Sequence, residues 1–465
     1  MEVTMEKRIG FAGMVMILII GLTTTAVADW PAVKSGEEWQ PFGRTMWIGV
    51  LKGSFYDMGF QYGERAAYDI RTNTDYEWAS CLKVLSESKE ELKSRLEKYK
   101  EQLWFFSPQT LDMLRGIADG AATQLNKSIY AKESTNFERV FNLNVSSTLK
   151  ESCNSFWVTG KATVDGRTIV THHSQSGMGS TKSGRKVVFV AIPDDPDAHI
   201  VWTITDAGCI GRGGSHLNDA GVFHALHASD SGKNPETKAN GVEYHVARFH
   251  AILYGDTAEK VADIFNRGTD RYRQMTGRKT LLRTRGVALI FADANKCLIG
   301  EYTATRFAMR KPGDMGETDG NYLCQSNHNH LNFSYDENNQ RTDVPMTKFS
   351  PEEPGNGSYH RFWSPMWAVK NSYGKIDKEM VLRKLTALHD IYEKDGTRRE
   401  YMRGHSFCTH DYSSKGDPGG SHAPVVAIPK TLEIYYVHYW PCRFVDKDWN
   451  YVNLSDYKYL RNRFK

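Results

Sequence analysis

The hydrophobic pattern changes character near residue 150. Before that point apolar residues recur at helical spacing. Leu111, Leu114, Ile117, Ala118 and Ala121 mark one face of a helix that Ser107 caps and Pro108 begins. Residues 86–100 carry Glu and Lys at i,i+4 offsets, as a solvated helix face does. Upstream, a strand-like run at Trp47-Ile48-Gly49-Val50-Leu51 passes through Gly53-Ser54 into a helix containing Met58, Tyr62 and Ala66. After residue 150 the pattern predicts strands at 167–172, 186–192, 199–205, 221–228, 287–292, 297–303, 307–310 and 322–326. Two helical patterns interrupt them, at 244–266 and 378–392. Strands in a run with helices grouped apart predict α+β layers rather than a βαβ alternation.

The most informative stretch lies at the change of pattern. Residues 153–160 and 162–173 read as two strands joined by an Asp165-Gly166 turn. Cys153 opens this hairpin. One reading is a buried structural thiol, since cysteine is among the most buried residue types. The other is a nucleophile. If the Ser152–Cys153 bond is cut, the new chain begins with a thiol and an amine on one residue, and the amine serves the thiol as base. An α-amine titrates near ~7.7–8.0 and a thiol near ~8.5, so proton transfer between them is nearly balanced at neutral pH.

The hairpin resembles the hallmark of the N-terminal-nucleophile (Ntn) hydrolases, in the cysteine branch. That branch includes acyl-coenzyme A:penicillin acyltransferase-like proteins (the peptidase C45 family), phospholipase B-like proteins and choloylglycine hydrolases. Its pattern "Cys-x-Ser-Phe … Ala-Thr-x-Asp-Gly" is matched by Cys153, Ser155-Phe156, Ala162-Thr163 and Asp165-Gly166. The resemblance implies a four-layer αββα sandwich behind an N-terminal helical segment, autocatalytic cleavage between Ser152 and Cys153, and a thioacyl-enzyme on Cys153.

Further segments extend the resemblance. Gln325-Ser326-Asn327-His328 resembles a "Thr-Asn-His" segment whose Asn amide faces the developing oxyanion, which implies that role for Asn327. Gly357-Ser358-Tyr359-His360-Arg361 resembles a "Ser-x-x-Arg" segment, implying that Arg361 sits beside the nucleophile. His172 stands where phospholipase B-like relatives have His-Asn and choloylglycine hydrolases have Arg-Asn, so it is expected near the thiol. His173 departs from both. Leu217-Asn218-Asp219-Ala220-Gly221-Val222 resembles a turn into a pocket-lining strand that brings His224 or His227 to the site. His173 and His227 are the candidates for substrate contact. Phe291-Ala292-Asp293-Ala294 followed by Glu301 resembles another hairpin of the branch. From the residues alone, Asn327 as a turn cap, Arg361 as a surface or stacked cation and His172 as a core histidine stay open.

Composition narrows the partners. Lys7-Arg8, the apolar run 9–22 and Ala26-Val27-Ala28 before Asp29 read as a secretory signal, residues 1–28. An uncleaved anchor is the alternative, although a span needs roughly 20 apolar residues. The expected sequel is a helical segment at 29–152 and a catalytic domain at 153–465. The chain is then secreted, periplasmic or held at the cell surface. A net charge of +4 without a basic block gives no support for nucleic-acid binding.

The seven cysteines contain no C-x-x-C pair, so no structural zinc is expected, and the odd count leaves Cys153 over. Gly208-x-x-Gly211-x-Gly213-Gly214 lacks the Lys-Ser/Thr of a phosphate loop. No cofactor is implied.

The reading is an exported, self-processed cysteine hydrolase that cleaves a linear amide C–N bond or transfers its acyl group. Its expected partner is a small amide or acyl substrate, with a membrane involved only if that substrate is a lipid. The two self-cleaved pieces are expected to stay associated. A phospholipase B-like ester hydrolase is the first alternative, and a non-catalytic exported binding protein on the same scaffold is the second. The Cys-Gly-x-Cys-Trp signature of papain-like proteases is absent.

Overall fold

The computed structural model describes residues 45–84, 86, 88–125, 137–145, 151–176, 185–228, 240–315, 320–346, 357–400, 405–412, 418–437 and 440–462. The predicted signal segment, 1–28, lies outside them. No helix among the described residues is long and apolar enough to cross a membrane.

Two sheets carry the fold. The first has ten strands. β1 (Thr45–Gly53) lies parallel to β4 (Lys186–Pro193), followed in order by β5 (Val201–Asp206), β6 (Ser215–Asn218), β7 (Phe223–His227), β8 (Val287–Ala292), β9 (Cys297–Tyr302), β10 (Phe307–Arg310), β12 (Ser334–Tyr335) and β13 (Arg341–Thr342). The second sheet runs β11 (Tyr322–Gln325), β2 (Glu151–Gly160), β3 (Gly166–Ser176), β17 (Pro418–Ile428), β18 (Glu433–Tyr436) and β19 (Asn450–Asn453), with β16 (His410–Tyr412) also on β17. A separate two-residue pair joins β14 (Ile391–Tyr392) to β15 (Arg398–Arg399).

Alternation along the strands sorts the apolar side chains into three slabs. Val187, Phe189 and Leu226 pack outward against Met58, Tyr62, Leu114 and Ile117 of the helices. Val188, Val190 and Trp202 point the other way and meet Trp157, Val170, Leu323 and Val425 of the second sheet. Phe156, Val158, Ile169 and Cys324 then pack against Phe362, Trp363 and Met366 of a further helix. Helix, sheet, sheet, helix is the order, so the fold is an α+β sandwich of four layers, αββα.

The outer layer is built from α1 (Phe55–Val84), α2 (Lys89–Phe106), α3 (Pro108–Leu125) and α4 (Phe137–Val145). Ser88 caps α2 with a full capping box to Glu91. Helices α1 and α3 cross with backbones in contact, through a G-x-x-x-G pair on each. A Cβ at Gly59 would lie 2.1 Å from Met113 O, and one at Gly120 2.0 Å from Phe60 O.

This layer is tied to the rest by buried polar links. Glu77 pairs with Arg212 at 2.9 Å with both side chains buried, and Tyr62 Oη donates to Cys209 O at 3.0 Å. Residues before Cys153 therefore supply a strand of the first sheet and, together with helices from residues 244–276, the layer that covers it.

Three departures from the sequence pattern have local causes. The helix expected over 244–266 is two, α5 (Tyr244–Tyr254) and α6 (Ala258–Arg267), split at Gly255, where a Cβ would lie 2.4 Å from Val261 Cγ2. Thr257 caps the second piece. The short α7 (Asp270–Thr276) follows. The helix expected over 378–392 reduces to α9 (Lys378–Met380) and a π-turn at Val381–Leu385, and the chain then enters β14. Conversely α8 (Gly357–Asn371) was not legible. It carries Pro365 and is buried almost all round, so it shows no amphipathic period. A short α10 (Lys458–Asn462) ends the described chain.

The helix crossing makes a clear prediction. Gly63→Ala or Gly120→Ala should lower stability by about 1–3 kcal/mol, because the added methyl meets backbone that cannot yield. Denaturant midpoints equal to the parent's would show that α1 and α3 do not approach this closely.

Candidate active site

The site is set by strand register. In β2, Cys153, Ser155 and Trp157 point between the sheets, while Asn154, Phe156 and Val158 point toward α8. Cys153 lies opposite Ser174 of β3, and on the other edge of β2 Ser155 lies opposite Gln325 of β11. Two residues beyond Gln325 comes Asn327, which the antiparallel register places beside Cys153. The Cys153 backbone N–H donates to Asn327 Oδ1 at 2.8 Å, and Arg361 Nη2 donates to the same oxygen at 3.0 Å. Asn327 Nδ2 donates to Ala228 O at 2.6 Å. Two donors on the oxygen and an acceptor on the nitrogen fix which way this amide faces.

Helix α8 holds the other side. Ser358 and Arg361 are three residues apart and share a helix face. Ser358 Oγ accepts the Asn327 N–H at 2.9 Å and lies 2.7 Å from His328 Nδ1 and 3.1 Å from Ser326 Oγ. Ser326 Oγ in turn donates to Cys153 O at 3.3 Å. Cys153, Ser326, Asn327, Ser358 and Arg361 thus form one hydrogen-bonded unit.

A buried carboxylate braces the following loop. Glu301 Oε2 accepts the N–H groups of His330 and Leu331 at 2.8 and 2.9 Å. Arg310 Nε lies 3.6 Å from Glu301 Oε1, and Arg310 Nη2 donates to Cys324 O at 2.6 Å. Burial raises the Glu301 carboxyl above its ordinary value, opposed first by the Arg310 charge.

The histidines divide by face. His172 shares the face of Cys153, but both ring nitrogens are committed. Nε2 meets Leu226 O at 2.8 Å, so it carries the proton, and burial holds the ring neutral. Nδ1 then accepts from Ser215 Oγ at 2.8 Å. His227 reaches the same space from the first sheet. Its Nε2 is 2.7 Å from Ser155 Oγ, its ring is 5.4 Å from that of His172, and burial followed by the Arg248 charge lowers its pKa to about 3. His224 turns outward, where Arg248 Nε donates to its Nε2 at 3.0 Å.

His173 is not brought to the thiol. It lies across from Asn154 on the α8 side, and its Nδ1–H donates to Phe407 O at 3.3 Å. Asn154 Nδ2 and Gln175 Nε2 donate to the same carbonyl, each at 3.1 Å.

Ser152 lies in β2, opposite Gln175, so the strand runs unbroken through the Ser152–Cys153 bond. Cys153 is 1% exposed. Among the described residues, which include all seven cysteines, no disulfide occurs. The glycine-rich turn at 208–214 holds a side chain: Arg248 Nη1 and Nη2 donate to Gly211 O and Gly214 O at 2.9 and 2.7 Å.

Ser155, Ser326, Ser358 and Glu301 lie in the segments that carry the resemblance but have no role assigned there, and Ser215 and Arg310 lie outside those segments. One signal could have found Ser358, because any residue three before Arg361 on a helix faces the same neighbour. The rest depend on pairings between strands far apart in sequence.

No protein-family model and no curated protein matches the chain. Among solved structures, a mutant of conjugated bile acid hydrolase from Clostridium perfringens is similar at TM-score 0.36 and 9% identity, over 65% of this chain and 93% of that one. Penicillin V acylase from Agrobacterium tumefaciens is similar at TM-score 0.32 and 11% identity, over 62% of this chain and 83% of that one.

The buried histidines set a pH dependence. His172, His173, His216, His224, His227, His245 and His250 are held neutral mainly by burial, with pKa values of about 3 at His173, His227 and His250. An unfolded histidine titrates near ~6.5, so below that pH the unfolded chain binds protons that the folded chain refuses. Their contribution is intact above about pH 6.5 and is lost as pH falls toward the folded values, by up to about 1.4 kcal/mol per pH unit for each ring. Urea denaturation between about pH 7 and pH 4 should show stability falling steeply on acidification. A flat profile would mean these rings are protonated in the fold.

Proposed function

We propose that this chain is an exported, self-processing cysteine Ntn amidohydrolase or acyltransferase, with Cys153 as nucleophile. The observation that carries the reading is the shared oxygen. Asn327 Oδ1 receives the Cys153 N–H and the Arg361 guanidinium together, on the segment pair and the hairpin that resemble the cysteine branch. Export rests on the pattern of residues 7–28.

In the precursor, the Cys153 thiol adds to the Ser152 carbonyl. The C–N bond breaks as a C–S bond forms, and the thiol proton passes to the departing nitrogen. Water then cleaves the thioester, giving a Ser152 carboxylate and a free Cys153. The new amine stays on Asn327 Oδ1, where the peptide N–H was. Release of Ser152 and Glu151 from their ladder with Gln175 and Ser176 uncovers the thiol.

In turnover the amine takes the thiol proton as sulfur attacks the substrate carbonyl, and returns it to the leaving nitrogen. Water or an acceptor amine resolves the thioacyl-enzyme. Arg361 orients Asn327 and places a positive charge beside the amine, which favours its neutral, basic form. In this geometry Asn327 acts through its oxygen as an acceptor, while its nitrogen is turned to Ala228 O. His172 keeps β3 against β6 and β7 as a positioning residue.

Two measurements test this. Intact mass and N-terminal analysis should find a chain beginning at Cys153, and Cys153→Ala should abolish both cleavage and turnover. An alanine variant that still splits there would overturn self-processing. The fragments should co-elute in native gel filtration, held by the β1–β4 pairing. Separate elution would contradict that.

The role of Asn327 separates by substitution. Asn327→Asp keeps an acceptor for the Cys153 nitrogen and should still process, whereas Asn327→Leu should not. Failure of both alike, with folding intact by circular dichroism, would return Asn327 to an oxyanion donor, typically worth on the order of 2.7–4 kcal/mol.

A further inference from the structure

Three segments that the proposed chemistry does not use converge behind the catalytic strand. His389 lies between the π-turn and β14, Cys408 precedes β16, and Cys442 sits in the one-turn 3-10 helix Pro441–Phe444. One ligand atom from each, the imidazole nitrogen and the two sulfurs, lies within 4.8 Å of the others. Tetrahedral zinc, with Zn–S of about 2.3 Å and Zn–N of about 2.0–2.1 Å, spaces its ligand atoms by roughly 3.5–3.8 Å. The triad therefore needs only about an ångström of adjustment to meet that spacing.

The geometry points to a metal site for a zinc-class ion, formed by His389, Cys408 and Cys442. Borderline-soft cations prefer this ligand set, two thiolates and an imidazole. Cys408 is buried against Trp440, while His389 and Cys442 are partly exposed. The inner ligand is thus shielded and the outer two leave an approach for the ion and a fourth ligand. The lack of a C-x-x-C pair does not bear on this site, because its ligands are separated by 19 to 53 positions in the chain.

The site has a structural consequence. The Cys408 N–H donates to Leu388 O at 2.9 Å, joining two of the ligand segments through the backbone. Phe407, one residue before Cys408, offers the carbonyl that receives Asn154, His173 and Gln175. An ion binding all three side chains would clamp that carbonyl against the first residues of β2 and the last of β3. It would act at a distance from the thiol, as a fastening of the strand pair.

The test uses cobalt(II) as probe on the full-length protein. The parent and a Cys153→Ala chain should each take up one equivalent and show thiolate-to-cobalt charge-transfer absorption. Zinc(II) should displace the cobalt, abolish that band and raise the thermal midpoint. Cys442→Ser and His389→Gln, checked for native circular dichroism, should lower cobalt affinity at least about tenfold. A band lost in Cys153→Ala but kept in Cys442→Ser would overturn the assignment by moving the metal to the nucleophile. Alkylation mapping that finds Cys408 and Cys442 joined as a disulfide in freshly purified protein would overturn it in favour of a cross-link. Absence of any thiolate band in reduced, folded parent protein would overturn it outright.

Discussion

One carboxamide oxygen organises the site. Asn327 Oδ1 receives the amide of the residue proposed as nucleophile from one side and a buried guanidinium from the other. A hydrogen bond to a charged donor contributes roughly 1.5–3 kcal/mol, and leaving a buried donor unmatched costs about as much. Removing the oxygen would take an acceptor from two donors at once. The surrounding structure serves to keep it in place: β11 delivers Asn327 to the right rung, Ser358 holds its backbone N–H, and Glu301 with Arg310 fixes the loop that follows.

The same constraint explains the dependence on distant parts of the chain. Cys153 and Asn327 come from neighbouring segments of the second sheet, and Arg361 from the helix on its outer face. His227 and Ser215 reach in from the first sheet, which is itself completed by a strand and helices from before Cys153. The polar layer between the sheets is tolerated because its histidines are neutral: His172 and His227 each hydrogen-bond through at least one ring nitrogen.

Much of this was legible in the sequence, and for identifiable reasons. The hairpin at Cys153 has an Asp-Gly turn between two strand-like runs, and β4, β8, β9 and β10 are short runs bounded by turn residues. The α3 helix shows both a cap and a period. Residues whose role depends on long-range register were not legible. Asn327 is named by resemblance, but that its oxygen rather than its nitrogen meets Cys153 follows only from the groups around it, the Cys153 N–H and Arg361 on the oxygen and Ala228 O on the nitrogen. His172 is expected near the thiol and its neighbour His173 as a substrate contact, and the alternation of β3 sends them to opposite layers. Arg361 was named without its helix, because α8 is enclosed on nearly every side and contains a proline. The meeting of His389, Cys408 and Cys442 left no local trace, since it is made by tertiary packing alone.

The most direct test is an experimental structure of the Cys153→Ala chain, in which cleavage is blocked. The account predicts an unbroken strand through residues 151–153, with the backbone N–H of position 153 and the Arg361 guanidinium both on Asn327 Oδ1. A structure with Asn327 rotated so that its nitrogen faces position 153, or with Arg361 directed elsewhere, would contradict it.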